Sequence, residues 1–254
     1  MDILRFDRAD VVVVVASESA MDPEGVSLFS TLGVVSSGES SSSPHAFDEE
    51  NDGFAFSEAG ACIVLEKLDH ARARSADILA ILAGAGSTTD AYHATSPRQD
   101  GRNAVIAMRN ALRDTGGPLP DSEIYVSPHA TGTPRPRNQG EGALGADEIE
   151  GHVIFQALGD HIDRVRTSAT KTGTGHMLGA ATLAEAIICV ESMRRRVIPP
   201  TLNSNNPVPV AEKIGLVQNE AQPAPNLGIA VNNGFGFGGH NATAVLYDPS
   251  LINY

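Results

Sequence analysis

The sequence predicts an α/β fold, and three observations carry that prediction. Residues 11–16, VVVVVA, are an unbroken β-branched run, the pattern of a strand buried on both faces. Residues 102–114, RNAVIAMRNALRD, place Val105, Met108 and Leu112 at helical spacing, and Gly116, Gly117 and Pro118 stop the helix. Further strand-like runs stand at 60–68, 78–83 and 123–128, so the two periodicities alternate along the chain.

The 254 residues, 41% hydrophobic, suffice for one large domain or two small ones with a sizeable core. A net charge of −13 argues against binding nucleic acid or an anionic membrane by bulk charge. No apolar run reaches the ~18 residues of a membrane span, and the start MDILRFDRAD has no signal-peptide core. Two cysteines, Cys62 and Cys189, give neither a disulfide framework nor zinc spacing, and each sits among apolar neighbours as a small core residue would. Together these features read as a cytoplasmic protein with no bound cofactor or metal.

In chain order, residues 36–44, SSGESSSSP, read as a surface loop. FDEENDGFAFSE resembles a calcium loop from Asp48 to Gly53, but the twelfth position is Ala59 rather than a bidentate Glu, so a charged turn is expected. Residues 123–128, EIYVSP, predict a strand with His129 at its carboxyl end, where open α/β sheets collect ligands. Alone, such a histidine is as readily structural as functional. Residues 135–146 read as an exposed loop and 147–158 as a helix. The last segment reads as strand, glycine-rich loop, strand. Gly234, Gly236 and Gly239 spell a dinucleotide fingerprint, yet a strand-like run follows them where that fingerprint needs a helix.

The stretch 167–181, TSATKTGTGHMLGAA, carries the densest chemistry. A short strand is expected to lead into Lys171, then a Thr/Gly turn, His176, and a helix running to about Arg196. Turns on rigid scaffolds carry sites; the competing reading is a polar turn with a capping histidine. A metal held by His129 and His176 would lack a third ligand.

Four motifs in order, PHATGTP, ATKTGTGHMLGAA, IPPTLNSNNP and NNGFGFGGHNA, resemble those of β-ketoacyl-[acyl-carrier-protein] synthases of the elongating, type II kind. FDEENDGFAFSEAGACIVLE and STTDAYHATSP are similar to that family too, and the resemblance runs from near Ala9 to the end. It implies a thiolase-like αβαβα layered sandwich, present mainly as the C-terminal half. Residues 1–60 would be a remnant of the first half with its connection, and 61–254 the C-terminal half. It also implies an acyltransferase that performs a decarboxylative Claisen condensation in fatty-acid or polyketide elongation, with acyl carrier protein as the partner that brings acyl and malonyl thioesters.

By the same resemblance His129 and His176 are the catalytic histidines and Lys171 the lysine that orders their polar network. Phe237 is the gate whose backbone N–H completes an oxyanion hole, Phe235 shares its loop, and Asp90 lies on a second moving loop. Asp147 and Glu150 resume an acidic pattern after an insertion at 135–146, as possible support for the site. Two N–H donors aimed at the thioester oxygen suit a decarboxylation that leaves charge there, at about 3–4 kcal/mol each.

The family's nucleophilic cysteine lies upstream of the run matching 11–16, and neither Cys62 nor Cys189 matches it. The expectation is therefore an enzyme half that needs a second synthase-type chain for the thiolate. The alternatives are a homo-oligomer, a non-catalytic subunit like a chain-length factor, and an inactive fragment. Three arginine clusters are candidates for docking an acidic carrier protein: Arg72 with Arg74, Arg135 with Arg137, and Arg194–Arg196, the last slightly favoured for its rigidity.

Overall fold

A computed structural model describes residues 1–36, 38, 44–135 and 142–252. Most of the serine-rich loop expected at 36–44, and Arg137, lie outside the described residues.

Among the described residues nine strands follow in chain order: β1 Val11–Glu18, β2 Ala59–Glu66, β3 Ile81–Thr89, β4 Glu123–Ser127, β5 Val165–Thr167, β6 Val197–Ile198, β7 Gln222–Pro223, β8 Leu227–Gly236 and β9 His240–Tyr247. The α-helices are α1 Asp2–Arg5, α2 Pro23–Thr31, α3 Leu68–Ala73, α4 Arg102–Asp114, α5 Ala146–Leu158, α6 Lys171–Thr174, α7 Ala181–Arg195 and α8 Pro209–Lys213. The predicted strand at 78–83 begins three residues late, at Ile81. The helix expected from His176 begins at Ala181, after a single 3-10 turn over Leu178–Ala180.

The main sheet has the order β3-β9-β8-β4-β5. Its central β8 runs parallel to β4 and antiparallel to β9, and β3 is antiparallel to β9. The carboxyl ends of β3, β4, β5 and β8 therefore share one edge of the sheet. Alternation along β4 divides the core: Ile124 and Val126 face α4 and α5, while Tyr125 faces Cys189 and Met193 of α7. Helix α4 lies directly on β3, because a Cβ at Gly86 would stand 2.1 Å from the carbonyl oxygen of Ala107. Beyond α7, its small residues Ala181 and Ala184 meet Ala16 of β1 and Ala59 of β2. The layers are thus α4 and α5, the five-stranded sheet, α7, and the β1–β2 pair. These are four consecutive layers of an αβαβα sandwich.

Two expectations fail on β1 and β2, which pair antiparallel in a two-stranded sheet. The run 11–16 is not buried on both faces: Val13 is 59% and Val15 68% exposed, while Val12 and Val14 turn inward. Cys62, paired with Val15, is exposed with Val64 rather than in the core. The β-branched composition reported two apolar faces correctly; only one has a covering layer here. Cys189 is buried as expected.

That uncovered face predicts self-association. Light scattering of the purified chain should give a mass well above the 26.5 kDa of one copy. Replacing Val13 and Val15 with lysine should shift it toward that value; a wild-type monomer with a cooperative melt would refute the expectation.

Candidate active site

The edge where β3, β4, β5 and β8 end carries the ionisable residues. Pro128 stops β4, and His129 follows at once. Glu150 of α5 fixes the backbone there: its carboxylate accepts from the N–H of His129 at 2.8 Å, the N–H of Ala130 at 2.8 Å and the Asn233 side-chain amide at 3.1 Å. Asp147, one turn earlier, accepts from the backbone N–H groups of Phe47, Thr131 and Gly132. The two acidic residues are the frame on which the His129 loop hangs. Burial pushes Asp147 up to about 6, and burial, with Asp147 adding repulsion, pushes Glu150 up to about 7.

His176 arrives from β5. The short helix α6 opens with Lys171 and ends at Gly175, whose φ of +74° is left-handed. A Cβ at Gly175 would stand 2.6 Å from the Ser57 Cβ, so the turn presses on segment 54–57. The His176 N–H donates to the carbonyl of Ala55 at 2.7 Å, and the Ser57 N–H donates to the carbonyl of His176 at 3.2 Å. The Phe54 ring meets the imidazole edge-on at 5.0 Å.

The two imidazoles then stand 5.4 Å apart between centroids, at 81° to one another. Phe235 at the end of β8 lies 6.1 Å from His129. Both histidine Nδ1 atoms are buried without a partner among the described residues. Burial, Lys171 and His176 all push His129 well below the ordinary imidazole value. Burial first, then the charge of Lys171, pushes His176 down to about 3. The site thus presents two neutral rings, each with one N–H to give.

Lys171 is 1% exposed and pairs at 2.5 Å with Glu185 of α7, which is 0% exposed. Glu185 is the main residue that sequence reasoning missed. The sequence carried no signal for it, because Glu185 stands between Ala184 and Ala186 on a helix as a solvated residue would. Asn233 was missed as well, though an Asn-Asn pair inside an apolar strand is itself unusual. Its side chain bridges Glu150 and Thr243.

Phe237 and Asp90 stand apart from the imidazoles. Phe237, just past β8, is 49% exposed and stacks on Phe29 of α2 at 6.4 Å. Phe29 also meets Phe54 and Phe56, so four aromatic rings wall one side of the site. Asp90, buried just past β3, accepts from the Asn241 amide at 2.8 Å and donates its own N–H to the Gly239 carbonyl at 2.8 Å. It ties its loop to the β8–β9 turn that carries Phe237. The charged turn expected at 48–53 forms around buried Asp48, which accepts from the N–H groups of Glu50, Asn205 and Asn206 and holds the IPPTLNSNNP segment. Among the described residues no three His, Cys, Asp or Glu side chains converge as metal ligands would.

The layers define a thiolase-like fold, and the paired imidazoles and the buried lysine lie together at one edge of its sheet. Family comparison agrees: "Beta-ketoacyl synthase, C-terminal domain" matches residues 79–205 and "Beta-ketoacyl synthase, N-terminal domain" matches 1–71. The chain belongs to the β-ketoacyl synthase family. It is 36% identical over 246 residues to 3-oxoacyl-[acyl-carrier-protein] synthase 2 of Coxiella burnetii, covering 96% of this chain and 56% of that protein. It is 38% identical over 246 residues to the mitochondrial 3-oxoacyl-[acyl-carrier-protein] synthase of Arabidopsis thaliana, covering 95% and 51%. Among solved structures, a type II polyketide-synthase acyl-carrier protein in complex with its ketosynthase superposes with a TM-score of 0.86 at 28% identity, covering 97% of this chain and 58% of that one. The ishigamide ketosynthase/chain length factor gives 0.82 at 31%, covering 97% and 56%. The chain spans about half the length of the curated relatives it matches. No helix among the described residues is long and apolar enough to cross a membrane.

Two outcomes follow from the electrostatics. A histidine held low in the folded state binds fewer protons than the unfolded chain, so its contribution to stability is complete above the ordinary value near 6.5 and falls as pH drops below it. In proton NMR the His176 ring signals should stay flat from about pH 8 to 5; a midpoint near 6.5 would refute the assignment. Lys171→Met leaves Glu185 buried without its cation and should cost about 3–5 kcal/mol in chemical denaturation. The double variant Lys171→Met/Glu185→Met should recover most of that loss.

Proposed function

We propose that this chain provides the decarboxylating half of a β-ketoacyl synthase acting in fatty-acid or polyketide elongation. The observation that carries it is the pair of buried imidazoles, 5.4 Å apart between centroids, beside the Lys171–Glu185 ion pair. A malonyl thioester, delivered on acyl carrier protein, places its thioester oxygen between His129 and His176. The bond to the free carboxylate breaks and carbon dioxide leaves. The electron pair moves toward the thioester oxygen, where the two N–H groups receive it. Because the rings are neutral and pre-aligned, they stabilise that charge without reorganising. The enolate carbon then attacks an acyl thioester, forming the new carbon–carbon bond and expelling a thiolate.

That thiolate does not come from this chain. Cys62 is exposed on the outer face of β2, and Cys189 is packed behind Tyr125, its thiol pushed up by burial. A cysteine from outside these 254 residues completes the reaction, and the bare face of β1 and β2 is a natural seat for the protein that carries it. Phe237 and Phe235 serve as the gate, their loop joined to the Asp90 loop.

Carbon dioxide release from malonyl thioesters, in the assembled synthase, tests the role of the histidines. His129→Ala and His176→Ala should each lower it by about 10²–10³-fold, with little change in melting temperature. Unchanged release in both would refute the reading. The chain on its own should yield no ketoacyl product, and measurable product from it would do the same.

A further inference from the structure

The three arginine clusters expected to dock a carrier protein differ once their neighbours are known. Arg194 and Arg195 both pair with Glu191, and Arg196 pairs with Asp248. Arg74 pairs with Glu66, and Arg135 with Glu49 and Glu148. Each has a carboxylate of its own chain to answer it.

Helix α4 differs. At 3.6 residues per turn, Arg102, Ile106, Arg109 and Arg113 fall within about 60° of one another and run about 17 Å along the helix. All four are exposed, with Ile106 47% exposed at the middle. None of the three arginines has a carboxylate at ion-pair distance among the described residues. Asp100, the acid nearest in sequence to Arg102, is held by Arg98, and Asp114 by Arg5. Arg109 reaches the carbonyl of Gln156 on α5. Beside it Phe155 is 39% exposed under the ammonium of Lys213, 5.8 Å from the ring centroid. A chain of net charge −13 thus keeps Arg102, Arg109, Arg113 and Lys213 out of ion pairs among the described residues, around two exposed apolar side chains; only Asp100, itself paired with Arg98, feels the charge of Arg102.

The stripe also has a direction. Helix α4 begins at the edge of the sheet where His129 sits. The Asn103 amide donates to the Thr89 carbonyl at 3.2 Å, and the Thr88 hydroxyl donates to the Asn103 carbonyl at 2.7 Å. Arg102 is therefore at the rim beside the Asp90 loop, and Arg113 is far down the flank.

We propose that the outward face of α4, with Phe155 and Lys213, is the docking surface for the acyl carrier protein that feeds this site; this rests on the function proposed above. An acidic helix laid along α4 would answer Arg102, Arg109 and Arg113 in turn. Its apolar side chains would cover Ile106 and Phe155, and its substrate-bearing end would lie at the rim. Net repulsion between two acidic proteins makes such a local patch the means of recognition.

The test titrates holo-acyl carrier protein into the assembled synthase at low and high salt. The triple variant Arg102→Glu/Arg109→Glu/Arg113→Glu should weaken binding at least about tenfold and flatten its salt dependence. Ile106→Asp should weaken it with the salt dependence kept. Arg194→Glu/Arg195→Glu should leave it within about twofold. Carbon dioxide release from a small malonyl thioester, which needs no docking, should be the same in the triple variant and the wild type. If the triple variant binds carrier protein with wild-type affinity and salt response, the docking surface is overturned. The function stands in that case, provided the histidine variants still lower carbon dioxide release as expected above. If neither carrier binding nor histidine-dependent release is found in the wild type, both fall together.

Discussion

The buried ion pair between Lys171 and Glu185 is the constraint on which the site depends. It joins α6 to α7, two elements that share little other contact, and fixes where the turn carrying His176 leaves the sheet. It also stands beside the two imidazoles, with its lysine toward the histidines. A pair as enclosed as this is weak as a source of net stability. Its value is electrostatic: burial first, and the charge of Lys171 second, push both rings below the ordinary imidazole value, so they stay neutral donors.

The second organising element is the pair of carboxylates on α5. Asp147 and Glu150 lie one turn apart on one face, and together they receive five backbone N–H groups and one amide from three separate segments. A loop built from Pro, Gly, Thr and Ala cannot hold His129 by its own packing. It is held by hydrogen bonds to charge-bearing oxygens, which are shorter and stronger than neutral ones. Burial opposes that charge, so the frame is firm where its N–H donors are complete and weak wherever one is lost.

Much of this was legible in the sequence, for reasons that differ by element. α4 announced itself by its apolar spacing and its glycine stop. The β8–β9 hairpin was legible because Ala242, Ala244 and Val245 continue a strand where a nucleotide loop would need a helix. His129 and His176 were found from their places at strand ends, before their ring separation could be known. Glu185 was not legible, because a glutamate on a helix between two alanines looks like a solvated face until tertiary packing encloses it. The exposed side of β1 was misread for a related reason. Composition reports that both faces of a strand are apolar, but not which of them has a neighbour. Segment 54–57 was read as part of a charged turn because its ring contacts join residues more than a hundred positions apart.

That last segment has a consequence for the way the protein can be divided. Residues 54–57 precede β2, on the side of the chain that matches the family's N-terminal domain, yet Phe54 walls His176 and the backbone of Ala55 and Ser57 clamps it, deep in the other part. The seam between the two halves of the fold therefore runs through the candidate site rather than around it. A chimera joined to a relative near residue 75 would give His176 a foreign wall even with His129 and His176 both intact. The two parts are exchangeable only as matched sets, and the 44–57 stretch must travel with the histidine it encloses.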